Sequence, residues 1–291
     1  MPELPEVEVT RRRIAPVLVG RTIARVSTTR QSYLFLTTPA LLRRRLPGRT
    51  VRRLDRRGKY LVAGLDDESR LVVHLGMTGQ LFSEGAVSPR LLSATARAAL
   101  RPEEQIRFRP DAHTHLRLAF EDGGPEVLLR DVRKFGKVLW LRPGERHRRL
   151  DRLGIDALCL RGADLSAAVK GRKVAIKNLL LDQAVVAGSG NIYTDEALSL
   201  ARVRPTRPAE RVSQEECDRI ASALRRIMRR SIATGGSSIS DFVGPDGKDG
   251  HYQDERRVYA RTGEPCLSCG APIRRVVLGQ RSAHYCPRCQ R

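Results

Sequence analysis

Met1-Pro2-Glu3-Leu4-Pro5-Glu6-Val7-Glu8-Val9 opens the chain, and how it is read settles what the remaining residues are for. Removal of Met1, which a small following residue permits, leaves Pro2 as a secondary-amine terminus with the Glu3 carboxyl beside it. An α-amino group titrates near ~8 and a lysine near ~10.4, so at neutral pH roughly a tenth of the first is unprotonated, against well under a thousandth of the second. Only the unprotonated amine attacks carbon, which makes the terminus the better starting point for an iminium (Schiff-base) intermediate. Nearby positive charge would have to hold proline's basicity down. The same residues also read as a plain helix start, with prolines in the first turn and acids favoured by the macrodipole. Taken alone, the stretch leaves both readings open.

Working outward, residues 3–18 have helical spacing, with Leu4, Val7, Ile14 and Leu18 on one face, and Gly20 ends the pattern. From about 22 to 145 the period falls to two: Thr22–Thr28, Val51–Leu54, Lys59–Leu65, Leu71–Leu75, Leu116–Phe120, Val127–Leu129 and Val138–Leu141, each bounded by turn residues. A β-sandwich or flattened barrel follows. Residues 84–112 are poorly patterned, with a short helix expected at Leu91–Leu100. Past a basic linker near 142–156, helices are expected at 164–170, 173–183, 191–202 and 213–233, the last opened by a Ser213/Glu216 capping box. In Gly188-Ser189-Gly190-Asn191 two glycines allow close approach, Asn191 is expected as a cap, and the following helix points free N–H groups outward. That is an anion site or an ordinary interhelical turn. Residues 234–252, rich in glycine and short polar residues, predict a mobile loop, with a plain linker as the alternative.

The strongest purely physical signal lies at the other end. Cys266-x2-Cys269-x16-Cys286-x2-Cys289 has the spacing of a four-thiolate zinc site, one structural ion with no open position, with disulfides as the alternative. Between the knuckles, Val276-Val277-Leu278, Gly279-Gln280-Arg281 and Ala283-His284-Tyr285 predict a β-hairpin with Arg281 near its tip, where a rigid hairpin can place one guanidinium in a DNA groove or against a phosphate. Cys159 and Cys217 stand alone and read as small buried apolar residues. Lys plus Arg number 54 against 32 acids, a net charge of +22, which points to a polyanion partner. No apolar run approaches the ~20 residues of a spanning helix and no signal-peptide layout is present, so a cytoplasmic protein is expected. Three more places carry candidate chemistry. Lys59 follows the tight turn at Arg57-Gly58, Met77 sits between Gly76 and Gly79 at a strand end, and Asp131-Val132-Arg133-Lys134-Phe135-Gly136 presents an arginine and an aromatic two residues apart. Apolar wedges and a guanidinium are the types needed to fill a duplex from which a base has been extracted. Alone, each is equally a surface charge or core filler.

In order along the chain, these features resemble the formamidopyrimidine-DNA glycosylases, bacterial base-excision repair enzymes. The resemblance covers the N-terminus, Lys59, Met77, the 131–136 turn, the Gly-x-Gly-Asn helix pair and the cysteine hairpin. It implies an α+β multidomain fold: an N-terminal catalytic β-sandwich with its helix over 1–148, a helix-two-turn-helix domain with a lesion-recognition loop over 149–256, and a zinc finger over 257–291. It implies a monomer that bends damaged double-stranded DNA between its halves and removes oxidised purines. Pro2 would attack the sugar C1′, Glu3 would act as general acid, and Lys59 and Arg281 would assist the β,δ-elimination that cuts the strand. Met77, Arg133 and Phe135 would fill the void. Asn191 with Arg172, Lys173 and Lys177 would hold phosphates, and His113 would match a phosphate-contacting histidine if the insertion ends just before it. Val132 and Lys134 stand where the family has a proline and a second arginine, leaving the stiffness of that turn open, and His251-Tyr252 departs from the usual aromatic pair. The alternatives are the sister endonuclease VIII branch, which takes oxidised pyrimidines and usually begins Pro-Glu-Gly-Pro, and a DNA-binding zinc protein without catalysis.

Overall fold

The structure is a computed structural model that describes residues 2–88, 108–239 and 242–291; the helix expected at 91–100 lies outside them. The chain forms two compact units, Met1–His147 with Gly235–His251, and Arg148–Thr234 with Tyr252–Arg291.

In the first unit, α1 (Leu4–Leu18) buries Leu4, Val7, Ile14 and Leu18, the face its spacing predicts. Two antiparallel sheets follow. One orders β1 (Ile23–Thr28), β6 (Thr114–Phe120), β7 (Val127–Asp131) and β5 (Gly79–Ser83); the other orders β2 (Val51–Arg57), β3 (Tyr60–Leu65), β4 (Arg70–His74) and β8 (Lys137–Leu141). Their inner faces meet in one apolar core that includes Val26, Leu54, Leu61, Leu71, Leu116 and Leu129. Each such side chain contributes about 1.5–3 kcal/mol by leaving water. α1 packs against β2 and β3 of one sheet and β5 and β7 of the other. The expected sandwich is therefore observed, with two elements that the pattern does not reveal. β5 is too short and too fully buried to alternate, and α2 (Pro39–Arg45) is a seven-residue helix opened by the Thr38 hydroxyl and held to the core by Leu42.

Ions fasten α1 to the sheet as well. The buried Glu8 carboxylate accepts from Arg11 and Arg12 on its own helix at 2.8 and 2.7 Å and from Arg56 on β2 at 3.2 Å. Arg11 also donates to the Leu54 carbonyl.

The second unit is mostly helical: α3 (Arg148–Asp151), α4 (Gly162–Val169), α5 (Ile176–Leu181), α6 (Asn191–Ala201) and α7 (Gln214–Ala233), with a short parallel pair, β9 (Ile155–Asp156) and β10 (Val186–Ala187). α7 carries the apolar stripe Cys217, Ile220, Leu224, Ile227 and Met228, and Ser213 and Glu216 form the expected capping box. α4 and α6 pack on that stripe. Gly162 is required there, because a Cβ would lie 1.7 Å from the Asp218 carboxylate. β11 (Arg274–Leu278) and β12 (Arg281–Tyr285) form the predicted hairpin. Gly279 and Gln280 both take positive φ, +53° and +65°, as a tight two-residue turn demands. No described helix is long and apolar enough to cross a membrane.

Burial pushes the Glu8 carboxyl up, but the hydrogen bonds from Arg11 and Arg12 and the charges of Arg11 and Arg56 outweigh it and hold it at about 2 against the ordinary 4.5. A carboxyl depressed in the folded state adds stability that is full above the unfolded value and fades as pH falls through the folded one. Between about pH 4.5 and about pH 2, wild type should therefore lose more stability than Glu8→Gln. Urea midpoints of both proteins across that range check this, and parallel losses would take Glu8 out of the acid sensitivity.

Candidate active site and zinc centre

The N-terminal stretch is buried. Pro2 is covered, and Glu3 and Glu6 are each 2 % exposed. Glu6, read from sequence only as a first-turn acid, has a more specific part. Its Oε2 accepts from the Glu3 amide at 2.9 Å, and its Oε1 accepts from the Ser237 amide, also at 2.9 Å. One carboxylate thus holds the backbone beside Pro2 and the start of the 235–251 segment. Gly236, at φ +87°, is what allows that approach, since a Cβ would come within 3.2 Å of Glu6 Oε1. The glycine-rich composition of 234–252 predicts a mobile loop, but the described residues there are bound to the first unit. Arg13 pairs with Asp246 at 2.8 Å, Ser83 donates to the Pro245 carbonyl, and Val243 is buried with Phe82, Phe108 and Leu128.

Lys59 lies in the β2–β3 turn, three residues past the Arg56 that pairs with Glu8. It is 7 % exposed, so its ammonium is drawn into the protein rather than spread on the surface. Met77, Arg133 and Phe135 share one platform. The fully buried Asp131 carboxylate accepts from the Thr78 hydroxyl at 2.5 Å and the Gly136 amide at 2.7 Å, while Arg133 N–H donates to the same hydroxyl at 3.1 Å. His115 Nε2 donates to the Asp131 carbonyl, leaving Nδ1 to accept from Thr29. Gly76, at φ +64°, lets the two loops touch, because a Cβ would stand 2.4 Å from the Gly136 nitrogen. Above this buried network Met77 and Phe135 remain 38 % and 40 % exposed, and the Arg133 guanidinium lies 4.6 Å from the Phe135 ring centre. Lys134 takes φ +56°. His113 is half-buried at the same place, its carbonyl accepting from the Asp131 amide.

In the second unit Arg172 and Lys173 are exposed before α5. Asn191 is the first residue of α6, and Gly190 occupies the cap position expected for it. Its Nδ2 reaches Ser282 Oγ at 3.4 Å. Lys177 departs from expectation. It is fully buried, with Nζ donating to Asp195 Oδ1 and to the Ser282 carbonyl, both at 2.5 Å. An ammonium out of water must be paired, and these protein acceptors take it, so here it is no phosphate ligand. Arg281 is exposed beside the hairpin turn. Cys217 is buried as expected, its thiol pushed up to about 11 by burial, whereas Cys159, in a turn closed by the Asp156 carbonyl, is exposed.

The four clustered cysteines place their Sγ atoms all within 4.8 Å of one another, with Cys266–Cys289 at 3.9 Å and Cys269–Cys286 at 3.5 Å. A disulfide would need ~2.05 Å, whereas thiolates ~2.3 Å from a tetrahedral zinc are spaced as these are. The donor set fits one zinc.

Three family models cover most of the chain: formamidopyrimidine-DNA glycosylase N-terminal domain over residues 1–138, formamidopyrimidine-DNA glycosylase H2TH domain over 154–243, and the zinc finger found in FPG and IleRS over 263–291. The chain belongs to the formamidopyrimidine-DNA glycosylase family. The formamidopyrimidine-DNA glycosylase of Cupriavidus pinatubonensis is 44 % identical over 306 residues, all of both chains. Among solved structures, the MutM (Fpg) protein of Thermus thermophilus is 37 % identical with a TM-score of 0.82, covering 99 % of this chain and 98 % of that one. A Lactococcus lactis FPG mutant in complex with Fapy-dG containing DNA is 30 % identical with a TM-score of 0.84 over all of both. A zinc held by these four cysteines would be structural, because four thiolates leave no position for water.

Native mass spectrometry should find one zinc per chain. Cys286→Ser should lose it and weaken DNA binding, because the metal closes the hairpin that carries Arg281. A metal-free protein that binds DNA with full affinity would end this assignment.

Proposed function

We propose that the protein removes oxidised purines, 8-oxoguanine and formamidopyrimidines, from DNA and then cuts the strand at the abasic site. The observation that carries this reading is the N-terminus of a formamidopyrimidine-DNA glycosylase chain whose Glu6 fixes the backbone next to Pro2. While Met1 is attached, the Pro2 nitrogen is an amide and cannot attack, so removal of Met1 creates the nucleophile. With the damaged nucleotide flipped out of the stack, the Pro2 lone pair bonds to C1′. The Glu3 carboxylic acid protonates the sugar oxygen as the C1′–O4′ bond breaks and the ring opens; the Pro2 nitrogen then gives up its N–H proton and its lone pair expels the base, which takes up that proton as the C1′–N bond breaks. The resulting iminium makes the C2′ proton acidic. Its loss expels the 3′ phosphate, and a second elimination expels the 5′ phosphate, with Lys59 and Arg281 assisting these proton transfers. Met77, Arg133 and Phe135 occupy the vacated stack. Arg172, Lys173, Asn191 and His113 contact phosphates. The substrate places the enzyme with the chromosome, in the cytoplasm of a bacterial cell.

Borohydride should trap wild type covalently on lesion-bearing duplex, and an uncleaved N-terminal tag should abolish both trapping and strand cutting. If tagged protein traps equally, another amine, with Lys59 first in line, is the nucleophile.

Arg133 also sets an expected partner-base preference. A guanidinium only donates, and cytosine presents two acceptors, O2 and N3, on its pairing edge, whereas adenine offers N1 beside an amino donor. Excision of 8-oxoguanine should therefore be faster opposite cytosine than opposite adenine, by roughly the ~1–3 kcal/mol of a good bidentate base contact. Single-turnover rates in wild type and Arg133→Ala measure it, and the preference should shrink in the variant. Faster cutting of thymine glycol than of either purine lesion would move the chain to the oxidised-pyrimidine branch.

A further inference from the structure

The hairpin that presents Arg281 is packed through one strand only: Ala283 and Tyr285 of β12 are buried, whereas no residue of β11 is. In the finger, the buried apolar cluster of described residues is Val258, Ile273 and Cys286, close to the cysteine knuckles, while Val277 nearer the turn is 61 % exposed. By itself a two-stranded hairpin is marginal in water. A zinc held by the four thiolates would fix one end of β12 at Cys286. Something else must fix the end that carries Arg281.

A buried polar chain does so. Asp195 on α6 is fully buried. Its Oδ2 accepts from the His284 amide at 2.8 Å and, because a carboxylate can only accept, from the Nδ1–H of His284 at 3.1 Å. Its Oδ1 takes the Lys177 ammonium, which in turn donates to the Ser282 carbonyl. Two residues of β12, 282 and 284, are thereby held by α5 and α6 through one carboxylate, and the carbonyl so held is adjacent to Arg281. The hairpin turn itself lies against α5, since a Cβ on Gly279 would come within 3.3 Å of the Asn178 amide. Buried ion pairs add little net stability compared with apolar side chains of the same volume. What this one supplies is a single position for the strand.

We propose that Asp195 is a positioning residue for Arg281: through Lys177 and His284 it sets where β12 sits on the helices and so where the guanidinium meets DNA. The proposal rests on the reading of Arg281 as a DNA contact. A merely stabilising ion pair would change how much protein is folded, whereas a positioning residue changes how many phosphates the folded protein neutralises. The two are separated by the salt dependence of binding.

Zinc-loaded wild type, Asp195→Asn, Arg281→Ala and the double variant would be titrated with a duplex containing a tetrahydrofuran abasic analogue, between about 50 and about 200 mM salt. Asp195→Asn should keep one zinc per chain. Its slope of log K against log salt should be shallower by about 0.9, the value of one lost phosphate contact, and adding Arg281→Ala to it should change little, because both substitutions remove the same contact. If Asp195→Asn fails to fold, the paired replacement Lys177→Met with Asp195→Leu removes both charges together and should show the same shallower slope with zinc retained. An unchanged slope, together with a full Arg281→Ala loss in the Asp195→Asn background, overturns the positioning role and leaves the Arg281 reading standing. If Arg281→Ala leaves the affinity and slope of wild type untouched, the Arg281 reading itself falls, and the proposal with it.

Discussion

A nucleophile that is the chain terminus, as proposed for Pro2, has no side-chain stem by which it can be held. Its position is only as fixed as the backbone that leads to it, and in this protein that backbone is the first turn of α1. Glu6 supplies the constraint, because its two oxygens accept one N–H from residue 3 and one from residue 237. Glu8, a little further along the same helix, pulls it onto β2 through Arg56. The sandwich core beneath then determines where the helix lies, so the placement of Pro2 depends on the packing of two sheets.

The chain is strongly basic, yet much of its interior order comes from acids. Glu6 and Glu8 at the N-terminus, Asp131 under the Met77–Phe135 platform, and Asp195 and Glu196 on α6 are all buried. Each gathers donors from segments far apart in sequence. Glu196, raised by burial but accepting the amides of Arg257, Val258 and Tyr259, ties α6 to the chain leading into the cysteine knuckles. Acids used inside as anchors are subtracted from the surface, and the excess of Lys and Arg is left facing solvent. The same allocation that builds the fold thus strengthens the positive field that draws a polyanion in.

What the sequence shows and what it hides divide along the reach of each interaction. The helix read at 3–18 and observed at Leu4–Leu18, the capping box at Ser213, the two-residue strand pattern and the cysteine spacing are local patterns, and all are present. Lys177 reads as a phosphate ligand beside Arg172 and Lys173, but its partners, Asp195 and Ser282, lie 18 and 105 residues away, and no periodicity marks a lysine that turns inward. Asn191 reads as a cap because of its type, yet the extended residue before the helix is Gly190. The glycine-rich stretch 234–252 reads as a mobile loop by composition, while its hydrogen bonds to Glu6 and Ser83 depend on residues at the far end of the chain. The one available signal is indirect: two consecutive glycines following a long helix, which allow the backbone close to something else.

The turn at 131–136 shows how far such a network can replace a local constraint. A proline at position 132 would stiffen the turn by limiting the unfolded chain, an effect of about 0.4–1 kcal/mol. Val132 forgoes that, and it is exposed at 44 % with no packing to compensate. The buried Asp131 carboxylate instead ties Thr78 and the Gly136 amide, and the Thr78 oxygen also takes the Arg133 N–H, so both ends of the turn and the neighbouring loop are joined. At about 1 kcal/mol per hydrogen bond, three such bonds outweigh the missing ring. They also carry more geometric information, because proline fixes one torsion whereas the carboxylate fixes the distance between two loops. Met77 comes from one loop and Arg133 and Phe135 from the other, so the three residues proposed to fill one void are held in register by a buried acid.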